Sequence, residues 1–150
     1  MIFIDTNVFV IDLRYQSDPY YRTNKRFLQR VENQRNGVTG LINLLELCGI
    51  LSFNLNHRQL EELFLYFPHK YGLSVLPSAE SSAWTPSFKV IELIRKIQYG
   101  MALKDAEIAL VVEEYKNMVT SFVSWNAKHF KGKLGCPVYT PKEALKLNLA

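Results

Sequence analysis

Met1-Ile-Phe-Ile-Asp5-Thr6-Asn7 opens the chain, and the reading of this stretch decides the fold. Ile2, Phe3 and Ile4 form a short apolar run, the pattern of a strand buried on both faces of a parallel sheet. The run stops at an acid, a hydroxyl and an amide, and a second apolar run, Val8 to Ile11, is expected to start a short helix ending near Leu13. In an open α/β sheet, ligands bind just beyond the carboxyl ends of the strands. An acid at position 5 is therefore held by the fold and still reaches water. Asp5 also suits a plain N-cap of the next helix, with Thr6 and Asn7 as turn residues. Two further acids in apolar surroundings argue that capping is not its whole role.

The 150 residues are 48% apolar and 21% charged, which implies one globular domain over 1–150 with a full hydrophobic core rather than a disordered chain. Apolar runs are too short, or too interrupted by Glu46 and Asn54, to span a bilayer. The N-terminal stretch carries no basic region or small-residue cleavage site, so a cytoplasmic protein with no membrane association is expected. Cys48 and Cys136 have no ligand spacing and read as reduced structural thiols. The net charge of +4 is compatible with a polyanionic partner. Arg22, Lys25, Arg26, Arg30 and Arg35 read as the solvated face of a helix; Lys128, Lys131 and Lys133 cluster beside His129, after a candidate site residue.

Further along, Tyr20 to Asn33 reads as a helix ended by Asn36-Gly37, Val38-Thr39 as a brief strand, and Gly40 as the cap of the next helix. That helix, Leu41 to Ser52, is apolar nearly all round, and Glu46 is its single charge. A carboxylate so placed costs several kcal/mol, on the order expected for a buried charge, unless it is paired, metal-bound or protonated. An ion pair with an arginine is one option; a catalytic or ligating role is the other. A helix from Asn56 to Phe67 is expected to close at Pro68 and Gly72, and Leu73 to Leu76 reads as a strand. Pro77 to Pro86 reads as a polar loop whose Trp84 either packs on the core or stacks on a base. Phe88 to Tyr99 reads as a helix with Val90, Ile91, Ile94 and Ile97 inward. In the helix after Gly100, Asp105 shares a face with Met101, Ile108, Ala109 and Val112, whereas Glu107 shares a wetter stripe with Lys104 and Glu114. Asp105 is thus the candidate ligand, or else an acid serving the helix dipole. Val119 to Val123 is a strand ending at Ser124-Trp125-Asn126, an echo of Asp5-Thr6-Asn7. A short strand, Pro137 to Thr140, and a helix from Pro141 complete the chain.

Asp5, Glu46 and Asp105 thus lie in apolar settings on three separate elements. Brought together at ~4 Å, each pair would repel by about 4 kcal/mol at an effective dielectric near 20. A hard divalent cation removes that cost, and all-oxygen ligands suit Mg²⁺ or Mn²⁺ rather than zinc. Such an ion lowers the pKa of a bound water and holds a phosphodiester for attack.

The pieces Phe-Ile-Asp5-Thr6-Asn7, Leu-Leu-Glu46-Leu, Leu-Lys-Asp105-Ala-Glu-Ile-Ala and Phe-Val-Ser124-Trp-Asn126-Ala-Lys-His-Phe follow one another in an order and spacing that resembles the PIN-domain nucleases, in particular the VapC-type toxins of prokaryotic toxin–antitoxin pairs. The resemblance covers nearly the whole chain. It implies an α/β three-layer sandwich, a central mostly parallel sheet flanked by helices. It further implies Mg²⁺- or Mn²⁺-dependent endonucleolytic cleavage of RNA, a homodimer, and a complex with a small antitoxin protein. Asp5, Glu46 and Asp105 would hold the metal, and Asn126 would assist through water. Thr6, Asn7 and Ser124 would orient these groups, and Lys128 and Lys131 would position the RNA backbone. Asn126 departs from the family, which often has a fourth acid there, so one firmly held cation is expected rather than two. That departure also leaves open a PIN-like domain that binds RNA or protein with its catalysis weakened. A phosphatase-like α/β enzyme fits less well: aspartyl-phosphate chemistry wants an acid two residues after the first, where Asn7 stands.

Overall fold

A computed structural model describes residues 1–78 and 87–149. Trp84, and with it most of the loop expected from Pro77 to Pro86, lies outside the described residues. The elements run β1 (Ile2–Ile4), α1 (Thr6–Arg14), α2 (Tyr21–Gln34), β2 (Gly37–Gly40), α3 (Leu41–Leu51), α4 (His57–Tyr71), β3 (Leu73–Leu76), α5 (Val90–Gln98), α6 (Leu103–Glu114), β4 (Ser121–Val123), β5 (Val138–Tyr139) and α7 (Pro141–Lys146). A single 3₁₀ turn, Ala127–His129, follows β4.

The five strands form one sheet in the order β3-β2-β1-β4-β5, and every pairing is parallel. The sequence implied a mostly parallel sheet, and the pairing among the described residues is wholly so. β1 lies at the centre because its three residues are apolar on both faces. Ile2 and Ile4 point into one helical layer with Val8, Phe9, Phe27 and Leu44, and Phe3 points into the other with Met101, Ala109 and Val112. Phe3 stacks on Phe122 of β4 at 5.5 Å, in register across the sheet. The architecture is therefore the α/β three-layer sandwich expected from the sequence.

Chain order fixes where a site can form. After β1 the chain moves through β2 to β3 on one side, then returns to lay β4 against the other edge of β1. Connections from β1 and β4 leave in opposite directions, so a crevice opens between their carboxyl ends, the topological switch point of such sheets. Asp5 follows β1 and Ser124 follows β4.

Three local expectations are corrected. Gly37 does not end α2; the helix stops at Gln34, with Arg35 in the left-handed conformation (φ 50°), and Gly37 begins β2. Glycine is needed there for packing: a Cβ would come within 2.4 Å of the Val31 side chain on α2. Pro68 does not close α4, which runs on to Tyr71 and ends at Gly72 (φ 57°). The last turn survives because Phe67 and Tyr71 are buried against Phe9, at ring separations of 4.8 and 5.1 Å. Packing there offsets the backbone hydrogen bond that proline cannot donate. Finally, Val90, Ile91, Ile94 and Ile97 of α5 do not face inward; all four are exposed, Val90 to 75%. Leu93 is the α5 side chain that packs on the core.

Candidate active site

Asp5 sits at the base of the crevice, 6% exposed. Its backbone is extended (φ −77°, ψ 154°), which lets it cap α1: the Thr6 N–H donates to Asp5 Oδ1 at 2.8 Å. The other carboxylate oxygen accepts from Ser124 Oγ at 2.6 Å and from Asn7 Nδ2 at 2.8 Å. Asp5 thus caps the helix, as one reading had it, and is also gripped from β4. Ser124 Oγ in turn accepts from Asn7 Nδ2 and from the Asn126 N–H, each at 2.9 Å. Asn7 Oδ1 accepts from the Trp125 N–H at 3.1 Å. The two strand ends are therefore laced together side chain by side chain.

A second chain of hydrogen bonds comes from α3. Asn43 Nδ2 donates to Thr6 Oγ1 at 3.0 Å, and Thr6 Oγ1 donates to Glu46 Oε2 at 2.5 Å. Asn43 Nδ2 also lies 3.4 Å from Asp5 Oδ1. Glu46 is half-buried on the edge of α3, since Leu45 beside it is exposed. Among the described residues no arginine pairs with it. Asp105 lies in the first turn of α6, with Oδ2 3.4 Å from His129 Nδ1. Glu107, expected on the wet side, is half-buried with its carboxylate 3.7 Å from Lys104.

Asp5, Glu46, Asp105 and Asn126 all line one cleft of about 260 Å³, together with Thr6, Asn7 and Lys104. Ser124 lies behind it, fully buried. Lys128 does not line this cleft but does line its neighbour, which shares Asp105. Lys131 is turned to α7, its Nζ 3.2 Å from Glu143. Among the described residues, no three His, Cys, Asp or Glu side chains converge closely enough to form a ready-made metal site. Electrostatically the acids nevertheless act on one another. Burial raises the pKa of Asp5 from 3.8 to about 6, the Ser124 and Thr6 hydrogen bonds hold it down, and the charges of Glu46 and Asp105 push it up. The cleft sets the carboxylates of Asp5, Glu46 and Asp105 against the ammonium of Lys104 and offers carboxylate and amide oxygens, a donor set that fits a hard divalent cation.

Asn43, Lys104 and the contact of His129 with Asp105 were not read from the sequence. Asn43 carried a usable signal: it stands three residues before Glu46 in an otherwise apolar helix, hence on the same face. Lys104 and His129 carried none, because their roles depend on how α6 meets the turn after β4.

No protein-family model matches the chain, and no curated protein does. Solved structures do. A crystal structure of FitAcB from Neisseria gonorrhoeae superposes with a TM-score of 0.62 at 17% identity, over 94% of this chain and 98% of that one. The fold is PIN-like. A structure of FitAB bound to an IR36 DNA fragment superposes at 0.58 and 16% identity, over 95% and 96% of the two chains. Both likenesses run nearly end to end.

Proposed function

We propose that this chain is a metal-dependent endoribonuclease and the toxin of a toxin–antitoxin pair. One observation carries the reading: Asp5, Glu46, Asp105 and Asn126, from four separate segments, line a single cleft at the switch point of a PIN-like sheet. Asp5, Glu46 and Asp105 would hold one Mg²⁺ or Mn²⁺ ion. When bound, that ion supplies Lewis-acid stabilisation and activates water for attack on phosphorus. The chain's own residues do the positioning. Ser124 and Asn7 hold one Asp5 oxygen, the Thr6 N–H holds the other, and the Thr6 hydroxyl holds Glu46. Asn126, exposed at the cleft, would orient water through its amide without adding charge. Lys128 would hold the RNA backbone; Lys131 would do so only by leaving Glu143.

Protein partners belong to the same proposal: a small antitoxin and a second copy of the chain. The exposed apolar row Val90, Ile91 and Ile94 supports this, because a lone chain gains nothing by wetting it. So does the likeness to FitAB, whose second structure is a complex with DNA.

Asp5→Asn is the deciding experiment. Pure, folded Asp5→Asn protein should cleave RNA at no measurable rate while wild type cleaves in Mn²⁺; equal cleavage by both would defeat the assignment. Asn126 favours a second reading, an RNA- or protein-binding domain with its catalysis weakened. That reading expects no Mn²⁺-dependent rise in the melting temperature of the wild type.

A further inference from the structure

We propose that the cleft beside the acidic one is a phosphate subsite for the strand flanking the cleaved bond, built by Lys128, His129 and Lys133. The ribonuclease reading supplies the substrate; the subsite itself stands on geometry. The cleft has a volume of about 350 Å³ and is lined by Gly100, Ala102, Asp105, Lys128, His129 and Lys133. Asp105 lines the acidic cleft as well, so the two clefts adjoin at its side chain. A polyanion whose reacting phosphate lies at Asp5, Glu46 and Asp105 would have this cleft beside it for a neighbouring phosphate.

Charge accounting separates Lys128 and Lys133 from Lys131 and Lys96. Lys131 is neutralised by Glu143 at 3.2 Å, and Lys96 is ion-paired with Glu113. Lys133 instead donates to the carbonyl of Gly100 at 2.8 Å, which fixes its position and leaves its charge uncompensated. Among the described residues no carboxylate lies within ion-pair distance of Lys128 or Lys133. Asp105 places a carboxylate in the same cleft, its Oδ2 3.4 Å from His129 Nδ1. Gly100 is left-handed (φ 75°) and presents no side chain, and Ala102 caps α6 without a side-chain acceptor for the first-turn N–H groups.

The test is binding, not cleavage. Fluorescence anisotropy of a labelled oligouridine would be measured across a salt series in an Asp5→Asn background. Lys128→Gln with Lys133→Gln should weaken binding about tenfold at low salt. It should also reduce the slope of log K on log[salt] by about 1.4, the value for two lost phosphate contacts on a single strand. A charge-matched control, Lys142→Gln with Lys146→Gln on the exposed side of α7, should change affinity less than about twofold. The exposed Lys128→Glu reversal serves as the variant that cannot disturb packing, and should cost at least about fivefold. Equal losses in cluster and control variants, or an unchanged slope, would overturn the subsite. The two proposals fail separately. Cleft-dependent binding without cleavage by wild type would sink only the nuclease reading. Cleavage that proceeds with normal KM in the Lys128/Lys133 variant would sink only the subsite.

Discussion

Asp5 is a buried acid with four hydrogen-bond donors around it and two acids nearby. Its pKa near 6 in the folded chain exceeds the 3.8 of the unfolded one, so folding favours the protonated form. The stability this contributes is fully present below pH 3.8 and lost as pH rises through 6. The shift corresponds to about 3 kcal/mol. In metal-free buffer, the stability of wild type minus that of Asp5→Asn should therefore fall by about that much between pH 4 and 6.5, measured by urea unfolding. A flat difference would show that the acid does not titrate in that window. Ser124→Ala removes a donor that holds the pKa down, so the fall should move to higher pH. A bound cation would act the opposite way: Mn²⁺ at neutral pH should raise the melting temperature of wild type and leave Asp5→Asn unmoved.

Among the elements, α3 and α5 are the most informative. Glu46→Gln keeps an acceptor for Thr6 and removes a charge, so the fold should hold, with unchanged circular dichroism, while the Mn²⁺ response disappears. Ile94→Glu, on the exposed row of α5, should alter stability by less than about 0.5 kcal/mol, yet reduce self-association or antitoxin binding, read by analytical ultracentrifugation. Much of this level was legible in the residues. The strand–acid–hydroxyl–amide stretch at Asp5, its echo at Ser124 and the near-uniform apolarity of α3 each placed an element, because buried strands and helices leave unmistakable runs. What periodicity lacks is knowledge of the partner surface. It marks α5 as amphipathic but not which side the core lies on, and Leu93 alone decides that. It reads Pro68 as a stop because the ring packing that carries α4 past it is non-local. The pairing of Lys131 with Glu143, and of Asp105 with His129, is set by tertiary approach in the same way.

For the molecule as a whole, the consequence of the strand order is that the site belongs to no single element. Its acids come from the ends of β1, α3 and the start of α6, and its lacing from the end of β4. The layers must hold that arrangement, and Gly37 shows how close their tolerance is. Gly37→Ala would drive a methyl group into Val31 and against Leu73, prising α2 from β2 and β3. A loss of about 1–3 kcal/mol is expected from such overpacking, read as a lowered urea midpoint. Cleavage by the surviving folded fraction should be unchanged, because Gly37 lies at the far end of the strands.

Ile2 of the central strand pairs with Ser121, so the two halves of the sheet meet across a long separation in sequence. Contacts so distant along the chain are slow to form during synthesis. Until residue 124 emerges, Asp5 has no serine to hold it, and the crevice has one wall. A nascent chain therefore carries a one-sided crevice until β4 has been made, and the lacing that holds Asp5 forms only then.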